Sequence, residues 1–429
     1  MKQTNAKNEF TLEIQSLAYG PYGIGRVENQ VLMVPATVPG DRINARVREQ
    51  KGNYAVGEML RLLEPSPLRQ RPPCPYIHNC GGCPWQQVRY APQLKAKEQS
   101  VADALKRIGK LEGFVLRPII ASPREYRYRR RIRFQCDQTK RMGFYRAFSH
   151  DLVVIDDCLI ADEALNTVIQ PLRRWLSQLD TTVEHVEIVG GDDPQEVVAV
   201  GRVPGELTPG DDAVCAGLID QANGIDGLVL HGDTWRKAWG GTAVSIRSDD
   251  GICLKVEADV FTQVNAEGNQ ELLKVLLAAG EFDKNDRVLE LYSGAGNFTL
   301  SVARRAREIV AVEGHRPAVE SAKRSAQFNG IGNIHWICAP VSAAVERLAK
   351  QRERFSKIIL DPPRAGARGI DRGLASLGAE KILYVSCNPA TLARDLSALA
   401  RRGYKLTMVQ PIDLFPHTFH VETLAVMAR

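Results

Sequence analysis

From Phe10 to Leu63, apolar and polar residues alternate in short runs that break at Gly20, Pro21, Gly23, Gly25, Pro35, Pro39, Gly40 and Gly52. Alternation with a period of two places successive side chains on opposite faces of a strand, and closely spaced turn residues reverse the chain, so this segment is predicted to form a small β-barrel. The proline-rich stretch from Glu64-Pro65-Ser66-Pro67 to Arg71-Pro72-Pro73 reads as a stiff linker. Between Tyr90 and Leu111, the apolar residues Leu94, Val101, Leu105 and Ile108 recur at helical spacing. Alternating segments up to about Val256 predict a mixed, mainly antiparallel middle region. Beyond it, apolar strands and helical patterns take turns, which predicts βαβ units and a largely parallel sheet. The expected fold class is multi-domain α/β. It comprises an OB-like β-barrel over residues 1–63, a central mixed α/β domain over 64–256 whose helix at 90–111 packs on the last unit, and a Rossmann-like domain over 257–429.

Length agrees with this division, since 429 residues exceed what one core usually supports. No apolar run approaches the roughly 20 residues that span a bilayer, and Met1 to Phe10 lacks an apolar signal core, so the expected location is cytoplasmic. The net charge of +6 is unevenly spread. Ala121 to Arg146 holds nine Lys or Arg against Glu125 and Asp137, a local +7 that leaves about −1 for the rest. Interleaved with Tyr126, Tyr128, Phe134, Phe144 and Tyr145, this block reads as a phosphate-tracking surface with stacking rings; a solvated, arginine-rich strand pair is the alternative. Nine cysteines, an odd number without a secretory signal, argue against a disulfide framework. Cys74, Cys80 and Cys83 stand together and call for a separate explanation.

The apolar strand Arg287-Val288-Leu289-Glu290-Leu291 runs into Tyr292-Ser293-Gly294-Ala295-Gly296-Asn297-Phe298, with a helix predicted from about Thr299. Glycines there permit a tight turn beside a ligand. A second strand, Ile309 to Val312, ends at Glu313, where a doubly wound nucleotide fold places a carboxylate for ribose hydroxyls. The loop alone fits NAD or FAD nearly as well as S-adenosylmethionine (SAM), although the missing third glycine leans away from a dinucleotide. Lys357-Ile358-Ile359-Leu360 is another strand, ending at Asp361-Pro362-Pro363-Arg364-Ala365-Gly366. Asp361 is thereby a candidate partner for the cofactor's amino acid end or for a target base, with capping of the next helix as the alternative.

Ile382-Leu383-Tyr384-Val385 forms a further strand, with Ser386-Cys387-Asn388-Pro389 at its tip. A thiol just past a strand tip, on the side of the glycine loop, is placed for chemistry rather than for packing. Carbon 5 of uracil is a poor nucleophile. A thiolate that adds to carbon 6 gives carbon 5 carbanion character, and a general base must later remove the carbon 5 proton. Phe415-Pro416-His417-Thr418-Phe419-His420-Val421-Glu422-Thr423 supplies candidate bases, Glu422 first and His417 and His420 second.

These residues resemble the RNA uracil-5-methyltransferase family. The matching stretches are Phe261-Thr262-Gln263-Val264-Asn265, Glu290 to Phe298, Asp361 to Gly366, Ser386-Cys387-Asn388-Pro389-Ala390-Thr391, and Phe415 to Glu422. The resemblance implies Cys387 as nucleophile and Glu422 as base, with Gln263, Tyr292, Asn297, Glu313 and Asp361 around SAM. Where relatives often carry Asp or Asn after the fourth strand to meet the adenine, this chain has Cys338-Ala339-Pro340, which leaves a backbone contact as the replacement. Gly23-Ile24-Gly25-Arg26 and Val34-Pro35-Ala36-Thr37-Val38-Pro39-Gly40-Asp41 resemble the TRAM domain, an RNA-binding barrel. A TRAM domain combined with Cys74, Cys80, Cys83 and the distant Cys158 resembles the branch acting on 23S rRNA, which implies a [4Fe-4S] cluster on those four cysteines. The C-x5-C-x2-C spacing is also uncommon for structural zinc.

Three competing readings stand beside this one. A radical SAM methylthiotransferase would carry C-x3-C-x2-C on a barrel; a non-catalytic RNA-binding or folding factor would have no need of Cys387 and Glu422; a tRNA uridine methyltransferase would share the chemistry and differ only in the RNA. In every RNA the target base must leave its stack. Arg129, Arg130, Arg131 and Arg133 are candidates for holding the backbone. No obligate protein partner is implied, and a monomer is expected.

Overall fold

The computed structural model describes residues 9–219 and 224–429; the opening residues 1–8 of the expected N-terminal unit lie outside the described residues. Strands β1 (Glu9–Leu17), β2 (Tyr22–Val27), β3 (Gln30–Pro35), β4 (Arg42–Lys51) and β5 (Tyr54–Glu64) close into a barrel of order β1-β2-β3-β5-β4. Leu12, Ile14, Leu32, Val34, Ile43, Ala45 and Ala55 fill it from alternate positions. Gly25 has no room for a side chain, since a Cβ there would strike Leu12 and the Glu13 carbonyl where β2 crosses β1. The linker is pinned as well as stiff. Buried Asp41 accepts from the backbone of Val38 at 2.7 Å and of Ser66 at 2.9 Å, and pairs with Arg69 at 2.6 Å.

The chain then forms helix α1 (Tyr90–Ala104), which widens into one π-helical turn over Leu105–Gly109, and the short strand β6 (Val115–Leu116). The buried face of α1 is Gln93, Lys97, Val101 and Ala104, continued by Leu105, whereas Ile108 of the expected apolar face is 51% exposed. Polar residues lie in the core here because they serve the last strand, as described below. A middle unit follows, with β7 (Arg131–Cys136), β8 (Met142–Tyr145), β9 (Leu152–Val153), α2 (Glu163–Thr167), α3 (Ile169–Gln178), β10 (His185–Gly190), β11 (Val197–Arg202), α4 (Pro209–Leu218), β12 (Gly227–His231) and β13 (Arg236–Gly240). Its seven-stranded sheet has the order β13-β12-β11-β10-β7-β8-β9 and is antiparallel except for the β11–β12 pair.

The hairpin β14 (Ala243–Arg247) and β15 (Cys253–Glu257) precedes α5 (Ala266–Gly280), β16 (Arg287–Leu291), α6 (Thr299–Ala303), β17 (Glu308–Glu313), α7 (Arg316–Phe328), β18 (Ile334–Cys338), α8 (Val341–Lys350), β19 (Lys357–Leu360), α9 (Asp371–Ser376), β20 (Lys381–Ser386), α10 (Pro389–Ala400), β21 (Lys405–Ile412) and β22 (Glu422–Ala428). The sheet order is β18-β17-β16-β19-β20-β22-β21-β6. The five strands β16 to β20 run parallel, which requires a helical crossover between each, and β22 returns antiparallel beside β20.

Pieces of chain cross the linear partition at 257. β6 pairs with β21, Val101 and Leu105 join the core under α10, and Leu254 and Val256 of β15 pack with Leu300 and Ala318. Each buries apolar surface that the parallel sheet would otherwise expose. Among the described residues, no helix is long and apolar enough to cross a membrane.

Candidate active site

The carboxyl ends of the parallel strands open into one cavity of about 810 Å³. Such crevices are where open α/β sheets receive ligands, because the loops leaving adjacent strands diverge there. Gln263, Tyr292, Asn297, Glu313, Asp361, Cys387 and Glu422 all line it, although they are up to 159 positions apart in the chain, from Gln263 to Glu422. On the cofactor side, Tyr292, Gly294 and Gly296 adopt positive φ at 63°, 53° and 92°, coiling the loop back toward the strand it left. Glu313 staples that coil, its two carboxylate oxygens accepting from the backbone of Gly294 at 3.0 Å and of His315 at 2.7 Å. Asn297 and Asn269 exchange amide hydrogen bonds at 2.8 and 2.9 Å.

The cavity also contains residues that the sequence reading did not single out. Glu290 lies in the middle of β16, 2% exposed, near Thr299, and among the described residues its Oε2 has no partner within hydrogen-bond distance. Burial pushes its carboxyl up to about 8, and Asp361 is raised to about 7 for the same reason. The signal was present, a lone carboxylate inside Val288-Leu289-Glu290-Leu291, where a fully buried strand should be apolar. An acidic floor with an unpartnered carboxylate oxygen suits a ligand carrying cationic groups, as SAM does in its sulfonium and ammonium. Arg364 and the 66% exposed Phe261 line the same space.

Cys387 lies one residue past β20, where Asn388 caps α10 by accepting from Ala390 N at 3.0 Å and Thr391 N at 3.4 Å. Burial pushes the Cys387 thiol up to about 11, nearby Glu422 adds to this, and Arg364 opposes it. Glu422 opens β22, 3% exposed, with its carboxyl held well above the usual range by burial and by Asp361. Of the two secondary histidines, only His420 reaches the cavity, with its Nε2 3.3 Å from Arg364. His417 is turned into the protein instead, stacked on Tyr126 at 4.4 Å and bonded to Gln93 at 3.1 Å. Burial lowers both rings, to about 4 and about 3 for His417 and His420, so both are neutral near pH 7.

The basic block divides. Arg129 and Arg130 line the cavity, and Arg130 pairs with Asp192. Arg131 is a structural residue, 7% exposed, donating to the Val260 carbonyl at 2.6 Å and to Glu187 at 3.0 Å. Arg133 keeps a largely exposed side chain. The expected stacking rings are mostly core: Phe134 packs on Phe144 at 4.7 Å, and buried Tyr128 donates to the Pro416 carbonyl at 3.1 Å. Alternate residues of a half-buried strand face inward, so a run of bases and rings cannot all be surface.

Cys74, Cys80, Cys83 and Cys158 line a second cavity of about 430 Å³, together with Tyr76 and Arg129. Burial raises all four thiols, Cys80 to about 11, and in Cys80, Cys83 and Cys158 neighbouring members of the set raise them further. Among the described residues, no group of three or more His, Cys, Asp or Glu is arranged to hold a metal ion.

The family model described as tRNA (uracil-5-)-methyltransferase matches residues 244–429, and that of the TRAM domain matches residues 8–60. A 23S rRNA (uracil(1939)-C(5))-methyltransferase RlmD of Aeromonas hydrophila is 35% identical over 98% of this chain and 96% of its own length. An uncharacterized RNA methyltransferase of Thermosynechococcus vestitus is also 35% identical, over 97% of both chains. The fold matches that of the Pyrococcus abyssi tRNA (uracil-54, C5)-methyltransferase, solved with S-adenosyl-L-homocysteine, with a TM-score of 0.74 and 24% identity over 98% of this chain and 100% of that one. With near-complete overlap at this identity, and with the cavity built where such a fold binds its cofactor, this chain belongs to the RNA uracil-5-methyltransferases, enzymes that depend on SAM.

Proposed function

We propose that the protein methylates carbon 5 of a uridine in 23S rRNA, with Cys387 as nucleophile and Glu422 as general base. The observation that carries this reading is the opening of both side chains into the one cavity that also holds Gln263, Tyr292, Asn297, Glu313 and Asp361. The 23S rRNA substrate is carried over from the RlmD relatives, which align along nearly the whole chain. Bound SAM supplies the methyl group as a cationic sulfonium electrophile. Glu313 would meet the ribose hydroxyls, while Glu290 and Asp361 would balance the cationic end. Cys387 gives its proton to solvent as the RNA enters, with the Arg364 guanidinium favouring the thiolate, and the thiolate bonds to carbon 6 of the flipped uracil. Glu422 removes the proton from carbon 5 once that carbon is methylated, the electron pair re-forms the 5,6 double bond, and the thiolate departs. A buried carboxyl with a raised pKa is a strong enough base for this when it enters the step ionised.

In this reading the barrel over 1–63 and Arg129, Arg130 and Arg133 hold RNA, the middle region over 64–256 carries a [4Fe-4S] cluster, and residues 257–429 carry the chemistry. Cys74, Cys80, Cys83 and Cys158 are the cluster ligands; support comes from four soft donors that line one cavity. The role is structural, because the methyl transfer moves no net electrons. In this reading the protein acts as a monomer, and an rRNA substrate puts it in the cytoplasm.

The test is methylation of protein-free 23S rRNA and tRNA transcripts with labelled SAM, beside Cys387→Ala, with products mapped by nuclease digestion and mass spectrometry. Five-methyluridine in 23S rRNA, lost in the variant, is expected. Label in tRNA alone would keep the mechanism and change the RNA, and no label in either would favour a non-catalytic factor. Iron and sulfide analysis after anaerobic purification checks the cluster. About four irons per chain are expected, falling in Cys158→Ala, and zinc in their place would refute it.

A further inference from the structure

The barrel reaches the nucleophile's own peptide. Tyr19, in the turn between β1 and β2, donates its phenolic hydroxyl to the backbone carbonyl of Cys387 at 2.9 Å, across 368 positions of chain. Its ring meets Phe419 edge-on at 5.5 Å and His420 at 6.5 Å. The same turn is anchored on both sides. Buried Trp85 donates from its indole nitrogen to the Gly20 carbonyl at 3.1 Å, and Tyr22 stacks on Phe148 at 5.8 Å. Phe148 follows β8, whose last residue Tyr145 accepts from Gly81 N at 3.0 Å and whose next residue Arg146 bridges to Cys80. One turn of the barrel therefore touches the Cys387 loop, the core beneath it and the wall of the cysteine-lined cavity.

Cys387 needs such a contact. The last ladder pair of β20 with β22 is Ser386 with Thr423, so the carbonyl of Cys387 has already left the sheet and its direction is not set by strand pairing. We propose that Tyr19 is a positioning residue for Cys387: its hydroxyl fixes the Cys387–Asn388 peptide, hence the direction of the thiol, and makes the reactive geometry depend on a docked barrel. This rests on the reading of Cys387 as nucleophile. Burial holds the Tyr19 hydroxyl above its ordinary pKa, so it remains a donor throughout the working pH range.

The experiment is Tyr19→Phe in the full-length protein, which removes one hydrogen bond and keeps the ring packing. The expected result is a fall in kcat of about three- to tenfold, with KM for RNA and affinity for S-adenosylhomocysteine unchanged. The rate of covalent capture of 5-fluorouridine RNA should fall in parallel. Unchanged kcat would overturn the proposal, as would a raised KM at constant kcat, which would make Tyr19 an RNA contact only. Cys387→Ala separates the two readings. If that variant still methylates, the nucleophile assignment fails. If it is inactive while Tyr19→Phe works at the parental rate, the positioning role alone fails.

Discussion

The ammonium of Lys97 lies 2.6 Å from the carboxylate of Asp413, with both side chains fully removed from solvent. Lys97 also donates to the Phe415 carbonyl at 2.9 Å, so helix α1 grips the loop that leads from β21 to Glu422. Gln93, one turn earlier, holds His417 in the same loop by its backbone nitrogen at 2.8 Å. A helix far away in sequence thereby shapes one wall of the active site.

Removing one partner of a buried pair leaves the other charge without solvent or counter-ion. Lys97→Ala should destabilise the protein by about 3–5 kcal/mol, whereas Lys97→Met with Asp413→Leu should cost much less. Chemical denaturation of the single and double variants measures both, and equal losses would show that packing rather than charge decides the stability here.

Cys387 in the free protein is a thiol at neutral pH, because burial pushes it up to about 11. Its alkylation by iodoacetamide at pH 8 should be roughly two orders of magnitude slower than that of an exposed cysteine, rising about tenfold per pH unit up to about pH 10. Peptide-level mass spectrometry separates it from the other eight cysteines. Arg364→Ala removes the neighbour that opposes the shift and should slow the reaction further.

Glu290 gives a signed pH dependence. Its folded pKa of about 8 lies above its unfolded value, so it contributes stability fully present below about pH 4 and lost as pH rises through 8. The melting temperature of the ligand-free protein should therefore decline from pH 5 to pH 9, and Glu290→Gln should flatten that slope by the equivalent of a few kcal/mol. SAM, whose cations favour the ionised carboxylates, should release protons on binding at pH 7; calorimetry in buffers of different ionisation enthalpy reads this directly.

Arg131 and Arg133, neighbours on one strand, should differ completely. Arg131→Ala should lower the melting temperature by removing a buried hydrogen-bonded charge, with Glu187 left less well paired. Arg133→Ala should leave stability unchanged and reduce the slope of log Kd for RNA against log salt by roughly 0.7–0.9. Identical behaviour of the two variants would remove this division.

Several features were legible before folding because they are local. The barrel followed from its turn residues and alternation, the parallel sheet from apolar strands leading to Gly294, Asp361 and Cys387, and Glu313, Asp361 and Cys387 as candidates from their position at strand tips, whereas Gln263, Tyr292 and Asn297 were implied by the family resemblance. Chain-local chemistry constrains what each segment can become, and the carboxyl ends of parallel strands face one crevice, so residues far apart in sequence were assignable to one site.

What tertiary structure alone decided is which faces meet. Periodicity marks an apolar side but not its partner, so it gave no sign that Gln93 and Lys97 would be the buried face of α1, or that β6 would extend the final sheet. It also left Arg131 and Arg133 indistinguishable, although burial makes one a structural tie and leaves the other half exposed, 3.7 Å from the same Glu187. The contact from Tyr19 to Cys387 belongs to the same class. A hydrogen bond between domains depends on how two finished surfaces dock, and no residue pattern within either segment encodes that distance.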